Sequence, residues 1–144
     1  MKKLFFFIFQ IFASMQMFSQ QSPQTESQIT VEALMAVQEV QWNDGNIDGF
    51  MNIYWNNDSL KFIGKKGITY GWKKTLDNYK KSYPTKKEMG HLKFTILDNT
   101  QVGENYIYII GKWELKKEKP VSGHFTKKKK KINGDWVIVA DHTS

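Results

Sequence analysis

Histidine is the one side chain whose ordinary pKa lies near neutrality, and the chain has three: His91, His124 and His142. His91 begins an alternating stretch beside a turn and reads as a surface residue. His124 and His142 flank a run of five lysines and an Asn133-Gly134 pair, a strong hairpin signal, so the hairpin register decides whether they meet. A three-residue loop of Ile132, Asn133 and Gly134 pairs Lys131 with Asp135 and sets His124 opposite His142. A two-residue turn pairs Phe125 with His142 instead, and the rings fall on opposite faces, because a one-residue slip inverts every side chain. The first register gathers Trp136, Ile138, Ala140 and His142 on one face with His124 and Thr126 across from them. There the two histidines supply a candidate general base and an orienting hydrogen-bond partner at the mouth of an apolar pocket. The plainer reading is that they only hydrogen-bond the helices. Asp141 points to the other face and reads as structural. Asp48 falls in the first turn of a predicted helix, where the dipole accounts for a carboxylate without catalysis. Two histidines lack the third ligand of a catalytic zinc site, so no metal and no cofactor are expected.

The aromatic residues Trp42, Tyr54, Trp72, Tyr79 and Trp113 read chiefly as core. Some of them, with Thr126, are expected to line a pocket, since small-molecule sites are mainly apolar with a few polar groups. The phenols of Tyr54 and Tyr79 are the useful donors. Lys127, Lys128, Lys129, Lys130 and Lys131 repel one another and offer no apolar face. They read as an exposed, lysine-blunted strand end or as a contact patch for an anionic surface such as lipid headgroups.

All 21 basic residues are lysine, so no arginine fork is available to clamp phosphate or carboxylate. Setting aside Lys2, Lys3 and the five-lysine run leaves 14 lysines, equal to the 14 acids. The charge is therefore local, and a nucleic-acid partner, which needs a spread basic face, is not expected. Absence of cysteine excludes disulfides, thiolate metal sites and a cysteine nucleophile.

These residues must be positioned by a single domain of ordinary length. Residues 1–20 read as a secretory signal, with Lys2-Lys3 before an apolar stretch too short to span a bilayer, which implies a periplasmic or secreted protein. Residues 21–27 read as a mobile polar linker and 28–144 as the domain. Apolar spacing predicts a helix from about residue 25 to Asp44-Gly45, a second, capped by Asn46, reaching Trp55, and a third from Gly71 to Tyr83, stopped by Pro84. Strands are expected at 59–63 and 68–70, then four more from His91 onward. Residues 106–115 read as a central strand covered on both faces, with Gly111 marking a bend or bulge.

Three motifs carry a resemblance. The segment from Trp42 to Phe50, Trp-Asn-Asp-Gly-Asn-Ile-Asp-Gly-Phe, resembles the helix-to-helix turn of NTF2-like proteins. Gly67-Ile-Thr-Tyr-Gly-Trp72 resembles the start of their third helix. The ending Gly134-Asp-Trp-Val-Ile-Val-Ala-Asp-His-Thr-Ser144 resembles the last strand of SnoaL-like (DUF4440-type) domains and of calmodulin-dependent kinase association domains. The resemblance implies an α+β cone: a strongly curved, mostly antiparallel sheet wrapped around an N-terminal helical hairpin and a third helix. It implies a pocket for a small apolar or amphipathic ligand, possible lyase or isomerase-like activity, or else a non-enzymatic dimerisation or accessory module. A homodimer is expected. No catalytic residue carries over from the family, and fold alone does not choose among its functions.

Overall fold

The computed structural model describes residues 26–144. The expected export signal and most of the polar linker lie outside the described residues. Helix α1 spans Glu26–Asn43 and α2 is a single turn, Ile47–Met51. The hairpin of β1 (Lys61–Gly64) and β2 (Gly67–Tyr70) leads to α3, Trp72–Ser82. A turn of helix, α4 (Lys86–Met89), precedes β3 (His91–Val102), β4 (Tyr106–Lys116), β5 (Val121–Ile132) and β6 (Asp135–Thr143).

The six strands form one sheet in the order β2-β1-β6-β5-β4-β3, antiparallel except where β1 runs parallel to β6. Two bulges bend it. One lies at Leu97, between the pairs Ile96 with Gly111 and Asp98 with Ile110. The other lies at Val139, between the pairs Lys129 with Ile138 and Lys128 with Ala140. An extra residue on one strand bends it and increases its twist, so the sheet curls around the helices. Buried Val31, Met35, Phe50, Met51, Leu76, Ile107, Ile109 and Ile138 form the core between them.

Helix α1 also shields an edge. Strand β3 is terminal in the sheet, and an exposed edge invites pairing with other chains. The Asn43 side chain donates to the Leu92 carbonyl (3.1 Å) and accepts from the Leu92 amide (2.7 Å), and the Glu39 carboxylate accepts from the Phe94 amide. The helix thereby stands where another strand would bind.

Several expectations are corrected. Helix α2 stops at Met51 instead of reaching Trp55, because the following backbone pairs with β6: Ile138 N–H donates to Ile53 O and Trp55 N–H to Ile138 O, each at 2.9 Å. The alternation of Leu92, Phe94 and Ile96 predicts a strand from His91 to Leu97, but β3 runs on to Val102, since the bulge at Leu97 resets the pairing. Gly111 is not itself a bulge; the bulge sits opposite it, and its missing side chain makes room for the Phe125 ring, whose Cζ lies 2.2 Å from where a Cβ would stand. Strand β4 is covered on one face only: Ile107 and Ile109 are fully buried, whereas Tyr108 is 42% exposed.

The last hairpin takes the two-residue turn and not the three-residue loop. Ile132 pairs with Asp135, so the turn holds two residues, Asn133 (φ 51°) and Gly134 (φ 89°). Both lie in the left-handed region that such tight turns require and that Asn and Gly tolerate. The Val139 bulge then slips the register by one, so that His142 pairs with Thr126 and Asp141 with Lys127.

Candidate functional site

On β5, Phe125, Lys127 and Lys129 are buried toward the helices while His124 and Lys128 point outward and are exposed. The expectation of a wholly solvated lysine run therefore fails. Lys127 is 2% exposed and Lys129 is 0% exposed; Lys128 and Lys131 are exposed and Lys130 is half-buried. A lysine stem is four methylenes long and packs readily on apolar surface; what needs explaining is where each ammonium goes.

The Lys127 ammonium enters an aromatic chamber. Its Nζ lies 4.7 Å from the ring centroids of Phe94 and Phe125 and 5.6 Å from that of Tyr54, distances at which ring quadrupoles attract a cation. It donates to Gln38 Oε1 at 3.0 Å and lies 3.5 Å from Asp141 Oδ2. Gln38 is fixed in turn by its own donation to the Phe50 carbonyl at 3.1 Å. Asp141 Oδ2 also accepts from the Tyr54 hydroxyl at 2.6 Å. Burial pulls the Lys127 amine below its ordinary pKa, and Asp141 draws it partly back. Burial, followed by the Asp141 charge, holds the phenols of Tyr54 and Tyr79 well above their ordinary range, so both remain proton donors.

This cluster borders a cavity of about 100 Å³. The walls come from every layer: Trp42, Phe50 and Tyr54 from α1, α2 and the segment after it, Tyr79 and Tyr83 from α3 and its end, and Leu92, Phe94, Trp113, Leu115, Phe125 and Thr143 from the sheet. Edge-to-face contacts of Trp42 with Phe50 (5.1 Å) and Tyr83 (4.9 Å), and of Phe94 with Phe125 (5.3 Å), set the rings in the arrangement their quadrupoles favour. Trp42 is anchored by its Nε1 donating to the Met89 carbonyl at 3.2 Å. One carboxylate oxygen of Asp141, Oδ2, is held by two partners; the other, Oδ1, is buried with no hydrogen-bond partner among the described residues.

Of the sequence candidates, Trp42, Tyr54, Tyr79 and Trp113 line this cavity. Trp72 does not; its indole donates to the Met51 carbonyl at 2.9 Å. Thr126 shares the outer strand face with His124, and His142, its cross-strand partner, is exposed as well. The two histidines therefore do not face the chamber. Sequence reasoning missed Asp141 and Lys127 as cavity residues. Among the described residues there is no cluster of three His, Asp or Glu side chains that could hold a metal ion. A second, wider groove of about 500 Å³ runs between the β1-β2 hairpin and α3, with Tyr79 and Tyr83 forming the wall it shares with the cavity. Its lining charges, Lys65, Lys66 and Lys81, are all exposed.

No protein-family model and no curated protein matches the chain. Among solved structures it is similar to an NTF2-like protein of unknown function from Shewanella oneidensis MR-1, with 38% identity and a TM-score of 0.76, over 79% of this chain and 95% of that one. At 14% identity it resembles a domain of unknown function with a cystatin-like fold from Nostoc punctiforme PCC 73102 (TM-score 0.71, 85% and 78% covered). It equally resembles a putative calcium/calmodulin-dependent protein kinase II association domain from Xanthomonas campestris (TM-score 0.65, 84% and 88% covered). Those two share the fold alone.

Proposed function

The chain belongs to the NTF2-like superfamily, and from that premise we propose that it is a small-molecule-binding domain whose ligand rests against Asp141 in the aromatic cavity. The observation that carries this reading is the state of that residue: Asp141 borders the cavity, with Oδ2 held by Tyr54 and Lys127 and Oδ1 buried without a hydrogen-bond partner among the described residues. Leaving a buried charged acceptor unmet costs free energy, and a ligand donor meets it. The same geometry suits proton transfer, with Asp141 as base and Tyr54 and Lys127 fixing its orientation and charge; lyase or isomerase-like activity is the enzymatic form of this reading. A fragment library screened by thermal unfolding tests it, because a ligand that binds only the folded state raises Tm in a concentration-dependent way. A saturable rise in Tm for some fragments supports the proposal. A library in which no fragment raises Tm counts against it.

A second reading, a homodimerisation module, is favoured by apolar side chains left open on β3 and β4: Leu97 and Val102 are each 55% exposed and Tyr108 is 42% exposed. Sedimentation of the parent and of Tyr108→Lys separates the readings. A dimer that the variant disrupts supports this one, and a monomeric parent removes it.

A further inference from the structure

The wider groove between the β1-β2 hairpin and α3 joins an aromatic lining to a cationic rim. The hairpin turns on two residues, Lys65 and Lys66, because Gly64 pairs with Gly67. Helix α3 runs beside it and contributes Lys81, so both walls of the groove carry lysine. The half-buried lining is aromatic. Phe62 meets Tyr79 edge to face at 5.5 Å, and Tyr79 stacks on Tyr83 at 6.2 Å, which gives a continuous ring surface below the exposed lysines.

Two observations point to an anion. No acidic residue lines the groove. Among the described residues Lys65, Lys66 and Lys81 form no salt bridge, whereas two other lysines of α3 are neutralised, Lys73 by Asp77 at 2.6 Å and Lys80 by Asp48 at 2.8 Å. A cleft lined by one sign of charge concentrates the opposite sign, and an ammonium, being a point charge, demands no bidentate partner. Size points to a small molecule with an apolar body. The volume of about 500 Å³ falls within the roughly 300 to 1,000 Å³ of small-molecule sites. Two fused rings fit there but not in the chamber of about 100 Å³, since benzene alone occupies a cavity of roughly 150 Å³ in another protein.

We infer that this groove is a second binding site, for a small amphipathic anion: an apolar body of about two rings laid on Phe62, Tyr79 and Tyr83, with a carboxylate head at the lysine rim. Stacking and apolar contact hold the body, and the three unpaired ammonium groups select the charge. A neutral compound of the same shape, or a small anion without the body, satisfies only half of the site. The site is independent of the ligand proposed beside Asp141.

Naphthalene-2-carboxylate, 2-naphthalenemethanol and acetate supply body with head, body alone and head alone. Each is titrated at low and at high salt into ¹⁵N-labelled protein, following the amides of Lys66, Gly67, Lys81 and Ser82 together with the Trp113 indole N–H. The carboxylate is expected to move the groove amides on one saturable curve and to bind about tenfold tighter than the alcohol, because two or three exposed ion pairs together contribute on this scale. High salt should erase most of that margin, and acetate should not saturate. Lys66→Gln combined with Lys81→Gln should weaken the carboxylate about fivefold and leave the alcohol unchanged. Both side chains are exposed, so the variant keeps its fold. Equal affinity for carboxylate and alcohol at low salt, no effect of the double variant, or groove amides that do not move would each overturn the proposal. A carboxylate that moves the Trp113 indole and leaves the groove amides still would overturn it as well, and would place the ligand in the chamber instead. Because the naphthalene body exceeds the chamber, failure at the groove leaves the reading of Asp141 standing.

Discussion

Lys127 and Asp141 face each other across β5 and β6 with Nζ 3.5 Å from Oδ2, and both are about 2% exposed. A buried pair of this kind adds little net stability, because desolvation offsets the attraction, but removing one partner strands the other. Lys127→Met should therefore destabilise the fold by about 3 to 5 kcal/mol, read by chemical denaturation. Adding Asp141→Leu to that variant should recover much of the loss. A cost below about 1 kcal/mol for the single variant would mean that the pair is not buried as described.

Lys129, two residues along, should behave in the opposite way. Its cross-strand neighbours are the fully buried Ile107 and Ile138, and its ammonium has no hydrogen-bond partner among the described residues. Lys129→Met keeps the volume and removes the charge, so it should stabilise the protein by about 1 to 3 kcal/mol at pH 7.

The same residue sets a pH dependence. Burial, helped by the Lys127 charge, brings the Lys129 amine down to about 8, against an unfolded value of about 10.4. Between these values the unfolded chain holds a proton that the folded chain has lost, so stability rises with pH from about 8 toward 10. Below about 8 both states are protonated and the full penalty applies. Lys127, shifted in the same direction, adds to the slope. Denaturation at a series of pH values should give a rising stability in the parent and a shallower rise in Lys129→Met. Equal slopes would place the Lys129 ammonium in solvent.

Tyr54→Phe removes the hydroxyl that donates to Asp141 Oδ2 at 2.6 Å. A hydrogen bond to a charged acceptor contributes about 1.5 to 3 kcal/mol, and the loss should appear in denaturation with the aromatic packing of Tyr54 against Phe50 retained. Tyr79→Phe lacks any such bond to Asp141 and should cost less.

How much of this could be read in the chain differs from residue to residue. The α+β order, the cap at Asn46, whose side chain accepts from the Gly49 amide, and the stop at Pro84 follow from local chemistry, and the structure has them. Trp42, Tyr54 and Tyr79 are large and semi-polar, so their place on a cavity wall was legible from composition. The polar floor was not. Strict alternation from Ile138 puts Ala140 inward and Asp141 outward; the buried positions are 138 and 141, three apart, and only the Val139 bulge produces that spacing. Four successive apolar residues, 137–140, give no signal of where a bulge falls. The lysine run misled for a related reason. Five identical residues carry no periodicity, so the inward set, 127 and 129, is fixed by Phe125 before them and by pairing with Ile109, Ile107 and Asp141.

In the proposed function the space beside Asp141 receives a ligand. The direct measurement is a ¹H–¹⁵N NMR titration of the labelled protein with the tightest fragment, following the Trp113 indole N–H and the backbone amides of Phe125, Lys127 and Asp141. The prediction is that these signals move together on one saturable curve, while the amides of His124 and Thr126 on the outer strand face change little. Shifts confined to the outer face, or to the groove beside Lys65 and Lys81, with the Trp113 indole unmoved, would contradict it.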